Sequence, residues 1–340
     1  MTDPRLLDVP DPMSAPALRW GILGPGGIAH RFAREIPRYT RSTIAAVGSR
    51  DQARADQFAR EFGLDRAYGS YEALVADPDL DAVYIATPHS CHRDHALLAL
   101  AAGKPVLVEK SFATSRAEAQ QVFDAAREKN LFATEAMWAR QLPHYAKLRQ
   151  LVAAGTLGEL RHIVAIHNQA LNPDPAFRIM NAALGGGALL DLGVYPLSAL
   201  HMLAGVPDSL TATGLLTAIG VDRAETAVLR WGSGLIGTAI SDCAAASPNT
   251  LTVVGTEATA DVGHVFYTPQ DITVTPRGGE PHVLQTKAEG GFQFEAAEAA
   301  RRITGGELES PLMTWQDTLD VMGLMDEVRR QVGVTFPWER

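Results

Sequence analysis

The first 136 residues alternate two kinds of segment. Short apolar runs at Leu18–Leu23, Thr43–Val47, Ala82–Ala86, Val106–Val108 and Leu131–Thr134 predict strands. Between them, stretches with helical spacing run over Ile28–Arg38, Asp51–Glu61, Tyr71–Ala76, Asp94–Ala102 and Arg116–Lys129. Asp51 is placed to cap its helix and Gly63 to stop it. Strand–helix alternation with short turns predicts βαβ units and a parallel, doubly wound sheet.

The texture then changes. A helix is expected over Pro143–Ala153, a strand over Ile163–Gln169, and a helix from the triplet Gly185–Gly187 through Leu203. Period-2 segments follow at Leu210–Leu216, Ala224–Trp231, Leu235–Ser241, Thr250–Val254, Ala258–Val262, Asp271–Thr275 and His282–Thr286. Consecutive strands with tight turns predict a large, open, mostly antiparallel sheet. Helices Phe292–Gly305 and Trp315–Val332 close the chain.

Length and charge narrow the classes. At about 150 residues per domain, 340 residues suggest two domains. The balance of 30 Lys and Arg against 39 Asp and Glu, with no basic stripe, argues against a nucleic-acid partner. Cys91 and Cys243 are too few for a disulfide framework and read as free thiols in a reducing compartment. No apolar run is expected to reach the roughly 18 residues of a membrane span. Residues 1–17 lack a signal-peptide stretch and read as a flexible leader, so the expectation is a cytoplasmic protein with no membrane partner.

The strongest local motif is Gly24-Pro25-Gly26-Gly27-Ile28-Ala29, a G-x-G-x-x-A fingerprint between a strand and a helix. The first glycine permits the tight turn, the second lets backbone approach a pyrophosphate, and Ala29 allows close helix–strand packing. The helix start supplies amides and a positive dipole end. The fold class is therefore α/β: an N-terminal Rossmann domain over 18–136, then an α+β domain over 137–340. Helix 315–332 is expected to pack back toward the N-terminal domain.

The second strand ends at Ser49-Arg50, with no acid between Arg41 and Arg50 to hold a ribose 2′-hydroxyl. A hydroxyl and a guanidinium suit a 2′-phosphate instead, which points to NADP, with NAD use left open if Arg50 is merely solvated. Lys110 ends an apolar strand, where ligands of doubly wound sheets bind; a surface ammonium is the alternative. In the apolar helix before Leu203, Asp191, Tyr195 and Ser198 recur at i, i+4, i+7, and Pro196 is expected to kink it. Such a stripe faces a cavity or pairs internally. Cys91, His92 and His95 sit close together, but with no second ligand cluster no metal site is expected.

These stretches together resemble the glucose–fructose oxidoreductase / inositol dehydrogenase / MocA family. The resemblance rests on the fingerprint, on Thr87-Pro88-His89-Ser90-Cys91-His92, on Ala102 to Lys110 and on Gly185 to Tyr195. The run Glu135-Ala136-Met137-Trp138-Ala139-Arg140 is similar to the branch of dimeric dihydrodiol dehydrogenases and NADP-dependent xylose dehydrogenases. The resemblance implies Lys110, Asp191 and Tyr195 as catalytic residues. It implies Thr87, Pro88, His89, His92, Glu109 and Lys110 on the nicotinamide side, Trp138 and Arg140 at the cofactor cleft, and Arg178 on the substrate. The usual Glu-Lys-Pro reads Glu109-Lys110-Ser111, so a looser turn is expected there; His89 replaces a common Asn, and Gln141 a common Phe.

The implied reaction moves a hydride between a nicotinamide and a hydroxyl or carbonyl of a sugar, polyol or trans-diol. Tyr195 would exchange the proton, Lys110 would stabilise the alkoxide and Asp191 would orient one of them. The expected assembly is a homodimer through the C-terminal sheet. Two other readings remain: a non-catalytic dinucleotide-binding sensor of the same fold, and a biliverdin-reductase-like or imine reductase.

Overall fold

The computed structural model describes residues 9–174 and 176–339. Of the expected leader, residues 1–8 lie outside the described residues. Its remainder is packed rather than flexible. Pro12–Ser14 form a 3-10 turn capped by Asp11, and Arg301 donates to Asp11 O at 2.8 Å and Ser14 Oγ at 3.2 Å.

The chain divides into two compact units: Pro10–Trp138 with Gly290–Thr318, and Ala139–Glu289 with Leu319–Arg340. This differs from the uninterrupted division expected at 136/137. The cause is the packing of Phe292–Gly305, whose first residue lies under the Arg31 guanidinium at 4.4 Å and donates its amide to Glu35 at 3.0 Å. That helix completes the N-terminal unit. The helix Trp315–Val332 begins in one unit and continues in the other. At its start Trp315 stacks on Phe123 and donates Nε1–H to Ala133 O at 2.8 Å.

The first unit holds β1 (Arg19–Leu23), α1 (Gly27–Tyr39), β2 (Thr43–Gly48), α2 (Gln52–Phe62), β3 (Arg66–Tyr68), α3 (Tyr71–Val75), β4 (Ala82–Ile85), α4 (His92–Ala101), β5 (Val106–Glu109), α5 (Arg116–Lys129) and β6 (Ala133–Ala136). The six strands are parallel in the order β3-β2-β1-β4-β5-β6, the Rossmann arrangement. Asp51 caps α2 through Ala53 N, and Gly63 closes it in the left-handed region, as expected. Two elements differ from expectation. β3 is only half-buried and has no apolar signature; it exists through pairing with β2. β6 starts later than expected because Asn130 ends α5 left-handed and Leu131 N returns to Ala126 O, which spends those residues on the cap.

The second unit holds α6 (Pro143–Ala153), β7 (Leu160–Asn168), a π-helical turn (Leu189–Gly193) that runs into α7 (Val194–Ala204), and seven further strands. These are β8 (Ser209–Leu216), β9 (Asp222–Arg230), β10 (Ile236–Asp242), β11 (Leu251–Gly255), β12 (Ala258–Val262), β13 (Ile272–Pro276) and β14 (His282–Leu284). Their order is β14-β13-β12-β11-β7-β10-β9-β8, antiparallel except for β7 with β10. The stretch Ala182–Ala204 is long and apolar enough to cross a membrane by length and composition, contrary to expectation, but 83% of it is buried inside the protein. A helix apolar on all sides is what a domain core requires. The two terminal helices, Phe292–Gly305 and Trp315–Val332, are α8 and α9.

Candidate active site

In the nucleotide-binding unit, the fingerprint joins β1 to α1. Gly24 has φ +100°, and a Cβ there would stand 2.9 Å from Thr87 Cγ2, so only glycine makes this turn. Gly26 and Gly27 are different: a Cβ at Gly26 would meet nothing nearer than 3.7 Å, and one at Gly27 nothing within 4 Å. Their open side, with α1 starting on no side-chain cap, leaves amides for an anion. Ala29 is fully buried, as close helix–sheet packing demands. The cradle fits a dinucleotide pyrophosphate.

At the end of β2, Ser49 is buried and its Oγ accepts from Asp51 N at 3.2 Å. Asp51 is committed to capping α2. Arg50 is exposed, and its guanidinium and that of Arg54 act on the Tyr71 phenol. Burial pushes the Tyr71 phenol up, against the pull of both guanidinium groups. Tyr71 and Arg54, which come from α3 and α2, were not singled out from the sequence.

The strand-end loops of β4 and β5 are tied by histidines. His92 is 1% exposed, with Nε2 at 2.8 Å from Thr87 O and Nδ1 at 2.8 Å from Ser111 O. His89 Nε2 lies 3.2 Å from Lys110 O. Thr87 Oγ1 bonds His95 Nδ1 at 2.9 Å, and burial pushes His95 down. The turn after Lys110 is thus clamped by two imidazoles, with a cis Lys110–Ser111 peptide, rather than loosened by the missing proline. Glu109 is buried; it accepts from Tyr84 Oη–H and, at 3.2 Å, from Lys110 N. Lys110 is half-buried at the carboxyl end of β5.

Two residues expected at the cofactor cleft are interior. Trp138 is 3% exposed and stacks on Phe292 at 4.9 Å, with the Arg31 guanidinium 4.6 Å from its ring. Arg140 is 2% exposed and belongs to the other unit, where Nε donates to Ser198 Oγ at 2.8 Å and Nη2 to Ser198 O at 3.0 Å. It also reaches His201 Nδ1 at 3.1 Å. Arg140 is therefore an anchor of α7, and Ser198 is engaged on the anchored side rather than forming one stripe with Asp191 and Tyr195.

The second unit presents Asp191 on the π turn and Tyr195 on the first turn of α7. Arg178 Nη2 donates to both Asp191 oxygens at 3.1 Å, so the two expected substrate residues form one ion pair. Pro196 has no N–H to offer Leu192 O, and His167 Nδ1 sits 3.1 Å from that carbonyl. Gln169 Nε2 donates to His167 Nε2 at 2.8 Å and to Tyr267 Oη at 2.7 Å, which places the His167 proton on Nδ1. Tyr195 packs against both rings, 5.1 Å from His167 and 4.6 Å from Tyr267. Burial pushes the Tyr267 phenol up, and Asp191 adds to this. The sequence offered no sign of Tyr267, which lies in the loop after β12, and His167 and Gln169 passed as strand residues.

Residues 18–136 match the GFO/IDH/MocA model described as an oxidoreductase family with an NAD-binding Rossmann fold, and 145–261 match the GFO/IDH/MocA C-terminal domain. The chain is 34% identical over 338 residues to trans-1,2-dihydrobenzene-1,2-diol dehydrogenase of Bos taurus, covering 95% of this chain and 99% of that one. Among solved structures it is similar to a 3-ketoreductase from Actinomadura kijaniata in complex with NADP and TDP-benzene, with TM-score 0.85, 27% identity and coverage of 93% and 98%. It is also similar to an aldose-aldose oxidoreductase from Caulobacter crescentus complexed with glycerol, with TM-score 0.85, 25% identity and coverage of 94% and 98%. A pyrophosphate cradle on a Rossmann sheet, matched together with its characteristic second domain, makes this chain a member of the GFO/IDH/MocA oxidoreductase family.

Proposed function

We propose that this NAD(P)-dependent oxidoreductase prefers NADP(H) and interconverts a hydroxyl and a carbonyl on a sugar, polyol or trans-diol. The observation that carries the reading is the polar cluster on the buried start of α7. Buried Asp191 and Tyr195 stand there, Asp191 reached by the exposed Arg178 from the 3-10 turn Arg178–Met180, and ionisable groups clustered in this way mark functional sites. A relative that is a diol dehydrogenase and neighbours that act as a ketoreductase and an aldose oxidoreductase support the substrate class.

Bound NADP⁺ supplies the hydride acceptor. Tyr195 takes the hydroxyl proton as the carbonyl forms and returns it in reduction. Lys110 stabilises the alkoxide oxygen. Arg178 pairs with Asp191 and orients its carboxylate toward the substrate hydroxyls. The test pairs calorimetric titration of NADPH and NADH with turnover of aldoses, inositols and trans-diols. Tight NADPH binding with no turnover across that panel overturns the enzymatic reading in favour of a sensor.

The 2′-phosphate site is assigned to Arg50, supported by Tyr71 and Arg54. Arg50→Ala removes a charge-assisted contact worth about 1.5–3 kcal/mol, so NADPH affinity falls about 10–100-fold. NADH affinity stays near wild type, which calorimetry checks directly. An equal loss for both cofactors counts against the assignment.

The assembly proposed is a homodimer through the outer face of the eight-stranded sheet. Val164, Ile166, Val228 and Val254 alternate with fully buried neighbours and are half-exposed on that face. Set among Thr226, Thr238 and Thr252 on the same face, they form a mixed patch that suits a contact with a second copy. Sedimentation velocity at micromolar protein is expected to show a dimer, and a stable monomer contradicts it.

A further inference from the structure

The glycines around the π turn bring backbone against one buried acid and against the serine that serves a second, neither acid being used by the reaction. Asp222, at the start of β9, is 2% exposed and accepts the Leu189 amide on Oδ2 at 2.7 Å. Leu189 is the first residue of the π turn that carries Asp191. A Cβ at Gly187 would fall 2.0 Å from Asp222 Oδ1, and one at Gly193 would fall 2.8 Å from Ser241 Oγ. Both glycines therefore let the turn's backbone rest directly on β9 and β10.

The second acid is Glu225, three residues along β9 and 4% exposed. Ser241 Oγ donates to its Oε2 at 2.6 Å. Its Oε1 is buried and has no donor to accept from. A cavity of about 10 Å³, near the lower limit for one water, is lined by Glu225 and Ser241 together with Leu189, Gly193, Leu197 and Val328. The titratable groups bearing on Glu225 are Asp222 on its own strand, Asp242 on β10 and the Cys243 thiol just beyond. The π turn, α7 and α9 face the cavity with apolar residues and glycine.

Two neighbouring buried carboxylates cannot both stay ionised. We propose that Asp222 and Glu225 share one proton, carried on Glu225 Oε1, and that this pair is the seat of the π turn, positioning Asp191 and Tyr195. The proton gives the orphaned oxygen a hydrogen bond to donate, and leaves Asp222 as the anion that accepts the Leu189 amide. Burial, followed by the Asp222 charge, holds Glu225 well above the usual carboxylate range, in keeping with a neutral acid. Asp222 and Glu225 act through the turn and are positioning residues.

The inference rests on the proposed roles of Asp191 and Tyr195 for its catalytic meaning, but its structural part is measured separately. Full-length Glu225→Gln, Glu225→Ala and Asp222→Asn are compared with wild type by infrared difference spectroscopy, amide exchange of peptides spanning 188–193, and steady-state kinetics. A protonated-carboxyl band is expected in wild type at neutral pH and is lost in Glu225→Gln. Exchange of the turn is near wild type in Glu225→Gln, whose amide still donates to Asp222, and at least tenfold faster in Glu225→Ala and Asp222→Asn. The two latter variants lose kcat more than NADPH affinity, and the Gln variant retains more kcat than the Ala variant.

Stability gives a further readout. A carboxyl whose folded pKa is raised contributes stability that is present at low pH and lost as pH rises through the folded value. Glu225→Gln therefore loses less stability than wild type as pH rises from the unfolded carboxyl value of about 4 toward the raised folded value. Should Asp222→Asn fail to fold, the infrared band and the Gln-against-Ala comparison decide. Absence of the band, or equal exchange in the Gln and Ala variants, overturns the proposal. If Tyr195→Phe proves fully active while the band and the exchange pattern hold, the catalytic reading falls and the seat stands.

Discussion

Tyr195→Phe is expected to lower kcat/KM for the oxidised substrate by about 10²–10⁴-fold, the range general acid–base groups contribute. The change removes only the hydroxyl. The ring keeps its packing against His167 and Tyr267, and the residue is already 6% exposed, so the fold is retained. NADPH binding is retained because its cradle belongs to the other unit. A free tyrosine has a pKa of about 10 and is a weak base at neutral pH. The wild-type rate should therefore rise with pH along a limb that reports the phenol, and that limb should vanish in the Phe variant. A Phe variant with near-normal turnover removes Tyr195 from the proton transfer.

Gly187→Ala is expected to be strongly destabilising to the second unit. Its φ of +126° is one that side chains rarely adopt, and the added Cβ would stand 2.0 Å from a buried Asp222 oxygen. Backbone strain of this kind costs about 1–3 kcal/mol and overpacking a similar amount, so a loss of about 3 kcal/mol or more is expected. For a unit of this size that corresponds to a fall in Tm of roughly 6–12 °C. Differential scanning calorimetry reads it, and activity should fall with it because Asp191 follows two residues after the anchored Leu189. Gly26→Ala is the contrast: its added Cβ meets nothing nearer than 3.7 Å, so Tm should hold while dinucleotide affinity falls. A Gly187→Ala variant as stable as wild type would show that the turn relaxes away from β9.

Much of this architecture was legible in the chain. Helices α5, α6, α8 and α9 and strand β12 fall where the periodicity put them, because amphipathic spacing and local caps act between near neighbours. The fingerprint was legible for the same reason: a tight turn and a helix start are short-range features. The half-buried β3 was not, since only its pairing with β2 makes it a strand.

What sequence alone left undecided is how distant polar groups are divided between chemistry and scaffolding. Arg140 and Asp191 look equally suited to a cleft as residues in a string. In the fold, Arg140 is spent on Ser198 and His201, 58 and 61 residues away, whereas Asp191 meets Arg178 on the buried π turn. His92 looks like a cofactor contact, yet Ser111 and Thr87 occupy both ring nitrogens. The missing proline after Lys110 suggested looseness, and two imidazoles supply the restraint. Tyr267 and Asp222 fell outside the periodic segments, and His167 and Glu225 read only as strand positions. Periodicity records which face of an element is buried, through the free energy of removing apolar surface from water. It carries no record of which buried donor meets which acceptor, because that depends on strand order and register, and these bring together residues far apart in the chain.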